Sequence, residues 1–513
     1  MKRLVIAGAL VALTALPALA QKKSLNVGMA SADAGKLDPH LTATTPDKGL
    51  LHWVFNGLVR FKPGTSTPDT IESDLAESWT TNATATEWTF KLRQGVQCHH
   101  NYGEFTSADA VYSIKRAATK ATSSFANDYA AIDDVTAPDK YTVVIKLKSP
   151  IPGFLGYVAN YHGGNQVCMK AAEELKDGFS RKPVGTGPFE FADYQAQQFV
   201  KLKAHDKYFR GKPALDEIVY RYIPSDATRD LAYQAGEIDL IYGKQDQTWV
   251  QRMKALPNTV VGVMEPAELS GLYLNTKVKP LDDIRVRQAI AHAIDRAQLV
   301  AFKGALVVRP SVSVVPSGYL GTDEKAPQYA LDIAKAKALL TEAGYPNGLT
   351  VKTIHTTLPG MQTTIEAVQA QLKKAGITLD IELVEHATFH AKIREDLSPI
   401  VHYAAARFPV ADVYLTQFFH SRSQVKTPTA VTNFTHCTMA DADIDAARVE
   451  PDAAKQKALW MSAQQKLVKD VCGIGLFEQL QVWAWRDSLD LGYELKGALN
   501  LSIPITEKTR FTK

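Results

Sequence analysis

Residues 273–295 read YLNTKVKPLDDIRVRQAIAHAID, and the decision about fold class starts from how this stretch divides. Asp282 and Asp283 follow Pro280-Leu281 and precede Ile284, Ala289, Ile290 and Ala293, which recur at helical spacing. Carboxylates at that point cap the orphan amides of the first turn and favour the helix dipole, so the acids read as structural rather than catalytic. Arg285, Arg287 and Arg296 then read as solvated or locally paired. Upstream, residues 183–191 read PVGTGPFEF. Its glycines and prolines suit a tight corner between subdomains. No Lys-Ser/Thr pair follows and no helical pattern opens there, which argues against a phosphate cradle.

The rest of the chain alternates strands and helices. Residues 87–93 alternate as a strand, and a helix opens after Phe105 with Val111, Ile114 and Ala118 on one face. Thr106 and Asp109 have capping-box spacing. Residues 141–147 alternate again before the breaker Ser149-Pro150-Ile151-Pro152-Gly153. Helix 332–343 ends at Gly344, strand 350–354 follows, helix 363–375 ends at Gly376, and strand 377–384 closes the series. This is the sequence form of a βαβ unit over a mostly parallel sheet. With no repeat and no low-complexity linker, the parts are expected to be joined by crossing strands.

Lys2 and Arg3, the apolar residues 4–16 and Ala18-Leu19-Ala20 read as a cleaved secretory leader, residues 1–20. No cysteine stands at the cleavage point, and no later run is long and apolar enough to span a bilayer. The expected location is the periplasm, without membrane insertion. About 490 residues remain, enough for two or three cores. Subtracting Lys2 and Arg3 from 58 Lys+Arg leaves 56 against 54 Asp+Glu, a balance that gives nucleic acid nothing to bind. Four cysteines, Cys98, Cys168, Cys437 and Cys472, allow two disulfides in three pairings.

Leu37-Asp38-Pro39-His40, Leu75-Ala76-Glu77-Ser78-Trp79, the stretch from Leu92 to Val111, the PVGTGPF loop, Gly236-Glu237-Ile238-Asp239 and Ala336 to Gly344 stand in a shared order over hundreds of residues. In that order the chain resembles the family 5 (peptide/nickel-type) extracytoplasmic solute-binding proteins of ABC importers. The resemblance implies a two-lobed α/β fold of the periplasmic-binding-protein type II, with mixed sheets flanked by helices. Lobe I would span 21–269 with an extra subdomain at about 57–182, lobe II 270–484, and residues 485–513 would return to lobe I. It also implies a non-enzyme, without a cofactor, that closes like a hinge on a small-molecule or peptide-like ligand and then meets the ABC permease. A monomer is expected. In this layout Cys98–Cys168 and Cys437–Cys472 are the favoured pairs, because the other pairings would staple together lobes that must move.

The resemblance also places the ligand. Peptide binders of the family carry an acid at the lobe II lip that pairs with the peptide ammonium, in a segment like GWxxDxxDPxxFL. Here the matching residues 405–415 read AARFPVADVYL, and counting back from Tyr414 puts Arg407 at the acid's place. Charge at that anchor is reversed, and Ala411-Asp412 replaces the Asp-Pro step. Residues 354–364, IHTTLPGMQTT, lack the arginine that dipeptide binders carry there. A guanidinium suits a carboxylate, sulfonate or phosphate, so the expected cargo is a polar or anionic solute: peptide-like, opine-like or sugar-acid-like. Arg407, Phe408, Asp412, Ser31, Ala32, Asp33, Gln245, Trp249 and Tyr273 are the candidate contacts. The rival reading of Arg407 is a structural ion pair with an acid such as Asp412.

Alternatives are ordinary di- or oligopeptides, haem or metal chelates, and, as a further class, an extracytoplasmic hydrolase. The chain has no GxSxG, HExxH or Walker A motif, and its Ser423-Gln424-Val425-Lys426 lacks the partners an SxxK enzyme needs. Cys98-His99-His100 is the one dense set of metal-ligating types, with His162 and His402 as outlying candidates, and it reads as an exposed turn.

Overall fold

Two long antiparallel strands, Thr259–Leu274 and Gly473–Arg486, organise the molecule. The structure is a computed structural model that describes residues 22–42, 44–126, 128–159, 163–426 and 432–512, so the expected leader and His162 lie outside the described residues. Gly473–Arg486 takes Leu240–Tyr242 as its neighbour, and Ser24–Met29, Glu217–Tyr222, Phe199–Ala204 and Phe189–Gln195 follow outward. Thr259–Leu274 pairs on its other edge with Ile400–Ala405, and Leu349–Thr356 and Ile377–Val384 complete that side. The two half-sheets are the two lobes. The crossing pair runs through both, with a register shift between Met264 and Glu268.

Lobe I carries a separate antiparallel sheet, Ala76–Thr81, Glu87–Leu92, Thr142–Leu147 and Ile132–Asp139, with helix Ser107–Ala117 packed on it. Asp109 accepts the Thr106 amide at 2.8 Å, completing the expected cap. In the Leu37–His40 motif Asp38 is buried against Arg116, 2.9 Å from Nη1, and ties the first lobe to that helix. Residues after the last crossing strand, including Leu489, Leu491, Ile503 and Phe511, join the same core as Leu25 and Val27. Cys98–Cys168 and Cys437–Cys472 are both bonded, as expected, and each closes a loop within one lobe.

Glycine decides one contact that matters for the site. Gly187 N donates to Val54 O at 2.8 Å, and a Cβ there would lie 2.6 Å from Trp53 O. Only a glycine lets the PVGTGPF corner seat on the end of helix Thr45–Val54. His99 is buried in the same corner and bonds Gly187 O at 3.0 Å, so the Cys98-His99-His100 turn is partly interior rather than wholly exposed. Asp283 accepts the Arg285 amide at 2.8 Å and caps helix Ile284–Ala293.

Candidate functional site

Strand ends build the cleft edge. Ser24–Met29 is parallel to Glu217–Tyr222 and Leu240–Tyr242, so their C-terminal ends share one edge of lobe I. In lobe II the C-terminal ends of Leu349–Thr356, Ile377–Val384 and Ile400–Ala405 share an edge in the same way. Loops leaving parallel strands at such edges carry ligand contacts, because backbone there is free of the ladder.

Arg407 leaves that lobe II edge two residues after Ala405. Tyr319 brackets its backbone: the phenol donates to Arg407 O and accepts from Arg407 N, both at 2.9 Å. The guanidinium lies over the Phe418 ring, 5.0 Å from its centroid, and Nε donates to Gln417 Oε1 at 2.5 Å. Gln417 Nε2 in turn donates to Asp128 Oδ1 at 3.0 Å, and Asp128 belongs to lobe I. One glutamine thus joins an arginine of one lobe to an acid of the other.

Lys48, on helix Thr45–Val54, and Glu268, on a crossing strand, complete the charged group. Burial lowers the Lys48 ammonium to about 7, helped by the positive charge of Arg407 and opposed by Asp128 and Glu268. Burial pushes Asp128 up to about 6 against the pull of Arg407, Lys48 and the Gln417 bond. Burial raises Glu268 as well, although Gln481 donates to it at 3.1 Å and Gln245 and the two cations favour its charge. Two cations and two acids therefore face one another between the lobes at a desolvation cost, which fits a site made to exchange partners for a charged solute.

Phe408 packs beside this group and closes it. Its ring, 4% exposed, sits on Gly153 and Gly156 of lobe I and 5.9 Å from the Phe61 ring. It is a contact between lobes rather than an open wall for a ligand. Gln245 gathers with the group, bonding Leu480 O at 3.2 Å and Glu268.

Other expected contacts are placed elsewhere. Trp249 is 3% exposed, and its indole donates to Asp230 at 2.9 Å inside the core beneath the crossing strands. An aromatic on the inner face of a short helix is needed there for packing. Tyr273 is likewise interior, stacked on Phe418 at 5.3 Å with its hydroxyl 3.2 Å from that of Tyr414. It supports the ring under Arg407. Asp412 is buried and bonded to Arg448 at 3.0 Å, so the acid expected to rival a ligand for Arg407 belongs to another pair.

Ser31, Ala32 and Asp33 stand at the lobe I edge, but Asp33 is engaged within its own lobe. It accepts the Tyr194 hydroxyl at 2.9 Å and the Gln197 and Ala34 amides at 2.9 and 2.8 Å. Its burial works to raise its pKa, yet those bonds outweigh it and the carboxyl is held below its ordinary value. Ser31 Oγ donates to Asp33 O at 3.0 Å, and Ala32 is exposed. His402 is buried between Ser270 Oγ at 2.8 Å and His355 at 2.9 Å. Lys48, Asp128, Glu268, Gln417 and Gln481 escaped the sequence reading. A charged Glu268 on a crossing strand was the one local signal among them.

Bacterial extracellular solute-binding proteins, family 5, match residues 70–426. This chain belongs to that family. The binding protein is 47% identical to MoaA from A. tumefaciens R10, solved in complex with mannopinic acid, over 96% of this chain and 100% of that one, with a TM-score of 0.90. It is 27% identical to the ABC transporter-associated periplasmic binding protein DppA of Helicobacter pylori, solved with the peptide STSA, over 96% and 99% of the two chains, with a TM-score of 0.84. It is also 30% identical to Heme-binding protein A of Haemophilus influenzae over 67% of this chain and 66% of that protein, so the matched stretch covers just under two thirds of that relative. Its architecture is the two-lobed α/β fold of type II periplasmic binding proteins, with a mixed sheet flanked by helices. These relatives are binding proteins rather than enzymes. Among the described residues no helix is long and apolar enough to cross a membrane.

Proposed function

We propose that the protein is the periplasmic capture subunit of an ABC importer, that it does no chemistry on its cargo, and that the cargo is a small opine-like amino-acid conjugate handed to a membrane permease. The observation that carries this reading is the meeting of Arg407 and Lys48 with Asp128 and Glu268 between the lobes. A solute with a carboxylate for the cations and an amine for the acids would replace these half-buried, partly desolvated contacts with direct pairs. Contacts to both lobes at once supply the differential affinity that drives closure. The 47% identity to a mannopinic acid complex supports the same class, and Arg407 at the ammonium anchor disfavours ordinary peptides.

A thermal-shift and calorimetric panel of mannopinic acid, agropinic acid, di- and tripeptides, sugar acids and haemin tests the assignment. Ligand that binds the folded chain and not the unfolded one raises apparent stability by RT ln(1 + [L]/Kd). A saturable shift with an opine and none with peptides is expected. Tight binding of peptides with no opine response would overturn the reading, and turnover of any bound compound would overturn the non-enzymatic role.

A further inference from the structure

Two histidines outside the charged group stand in ligating geometry. His386 and His390 lie four residues apart on helix His386–Arg394, so both rings project from one face. Their Nε2 atoms are 3.3 Å apart, with the ring centroids at 4.6 Å and the planes at 76°. Two imidazole nitrogens bound to one metal at about 2.0–2.1 Å each in neighbouring coordination positions lie about 3.0–3.4 Å from one another. The spacing is the one helical metal sites use to present two rings to one ion.

The surroundings suit a ligand pair. His386 Nδ1 is 3.1 Å from Thr356 Oγ1, and that hydroxyl already accepts the Leu358 amide at 3.1 Å. Its remaining acceptor capacity can hold a proton on Nδ1, which leaves the lone pair of Nε2 turned toward His390. A partner on the far nitrogen is the usual way a ligating histidine is oriented. His390 is fixed by aromatic neighbours instead, Phe389 at 5.4 Å and Tyr403 at 5.8 Å, and among the described residues its Nδ1 is buried without a partner. If one ring simply donates to the other, the result is a long hydrogen bond at 3.3 Å, whereas one metal ion between the rings uses both Nε2 lone pairs at that separation.

Topology places the pair at the cleft edge. His386 follows Val384 by two residues, Arg407 follows Ala405 by two, and the strand ending at Thr356 lies between theirs. Two strand spacings put the pair roughly 10 Å from the start of the Arg407 loop. Tyr403, in contact with His390, also packs 6.1 Å from Phe418, the ring beneath Arg407. Both histidines are half-buried.

The geometry points to a second binding site: His386 and His390 form a bidentate clip for one first-row divalent metal ion, with imidazole-preferring Ni²⁺, Cu²⁺ or Zn²⁺ as the class and water or a small anion completing the shell. Imidazole nitrogens select these ions over Mg²⁺ or Ca²⁺, which take oxygen ligands. The site does not depend on the identity of the cleft solute.

The test is calorimetric titration of chelator-treated full-length protein with NiCl₂, CuCl₂ and ZnCl₂, with MgCl₂ as control, and nitrogen hyperfine structure read by EPR for copper. One equivalent per chain and two coordinating imidazoles are expected, with no Mg²⁺ heat. His386→Gln and His390→Gln should each abolish that equivalent, and Thr356→Val should weaken it by about tenfold or more. The same three variants should keep wild-type thermal shifts with mannopinic acid, which separates this site from the cargo reading. No saturable binding by folded wild-type protein overturns the proposal. So does binding that both histidine variants retain, which would assign the metal to other residues.

Discussion

Adding one methyl group at Gly156 should hold the lobes apart. In the closed structure a Cβ at that position would meet Cε2, Cδ2 and Cζ of the Phe408 ring well inside contact distance. Phe408 belongs to lobe II and is packed on two sides, by the Phe154–Tyr157 helix and by Phe61, so its ring has little room to retreat. Overpacking of this kind costs about 1–3 kcal/mol. Because Gly156 and Phe408 part when the lobes open, the cost falls on the closed form alone, whereas any gain in helix propensity from Ala is shared by both forms. Affinity for whatever solute the wild type captures should therefore fall by about 5- to 150-fold, since 1.4 kcal/mol is a factor of ten. Titration calorimetry reads the affinity, small-angle scattering reads the closed fraction, and the unliganded melting temperature should stay within a degree or two. In a Phe408→Ala background the Gly156→Ala change should become nearly neutral, because the two residues act through one contact. Wild-type affinity and wild-type closure in Gly156→Ala would refute the latch.

Arg407→Ala should abolish the thermal shift given by an anionic solute while leaving the unliganded melting curve intact, and tight binding by that variant would refute its role. Closure of the unliganded protein should depend on pH. Asp128 rises from about 3.9 in water to about 6 when enclosed, so its penalty is absent below about pH 4 and complete above about pH 6. Lys48 falls from about 10.4 to about 7 on enclosure, so its penalty is absent above that range and complete below about pH 7. The open form should thus be most populated between about pH 6 and 7, as read by scattering or a fluorescent pair across the lobes; a flat profile, or one that Asp128→Asn leaves unchanged at its acid limb, would count against this. Arg448→Met strips the buried Asp412 of its partner and should cost about 3–5 kcal/mol in denaturant unfolding. Reducing Cys437–Cys472, which closes a loop with a sequence separation of 35, should lower stability by about 2–4 kcal/mol; no change would argue that the unfolded chain is not constrained by it.

Legibility followed the range of the interaction. The cap at Asp283, the capping box of Thr106 and Asp109 and the Gly344 and Gly376 helix ends depend on residues within one turn, and each could be read from the chain. The strand and helix order, the family and both disulfide pairs followed from motifs kept in sequence over hundreds of residues. Trp249 and Tyr273 could not be assigned from the chain, because an aromatic near a strand end looks the same whether it fills a core or lines a cleft. Only the tertiary structure brought Lys48, Asp128, Glu268, Arg407 and Gln417 together, from both lobes and four distant segments. Periodicity reports which face of an element is buried, but it carries no information about which face another lobe will meet. That choice is made where the lobes meet, as Phe408 seated on Gly153 and Gly156 far back in the chain illustrates.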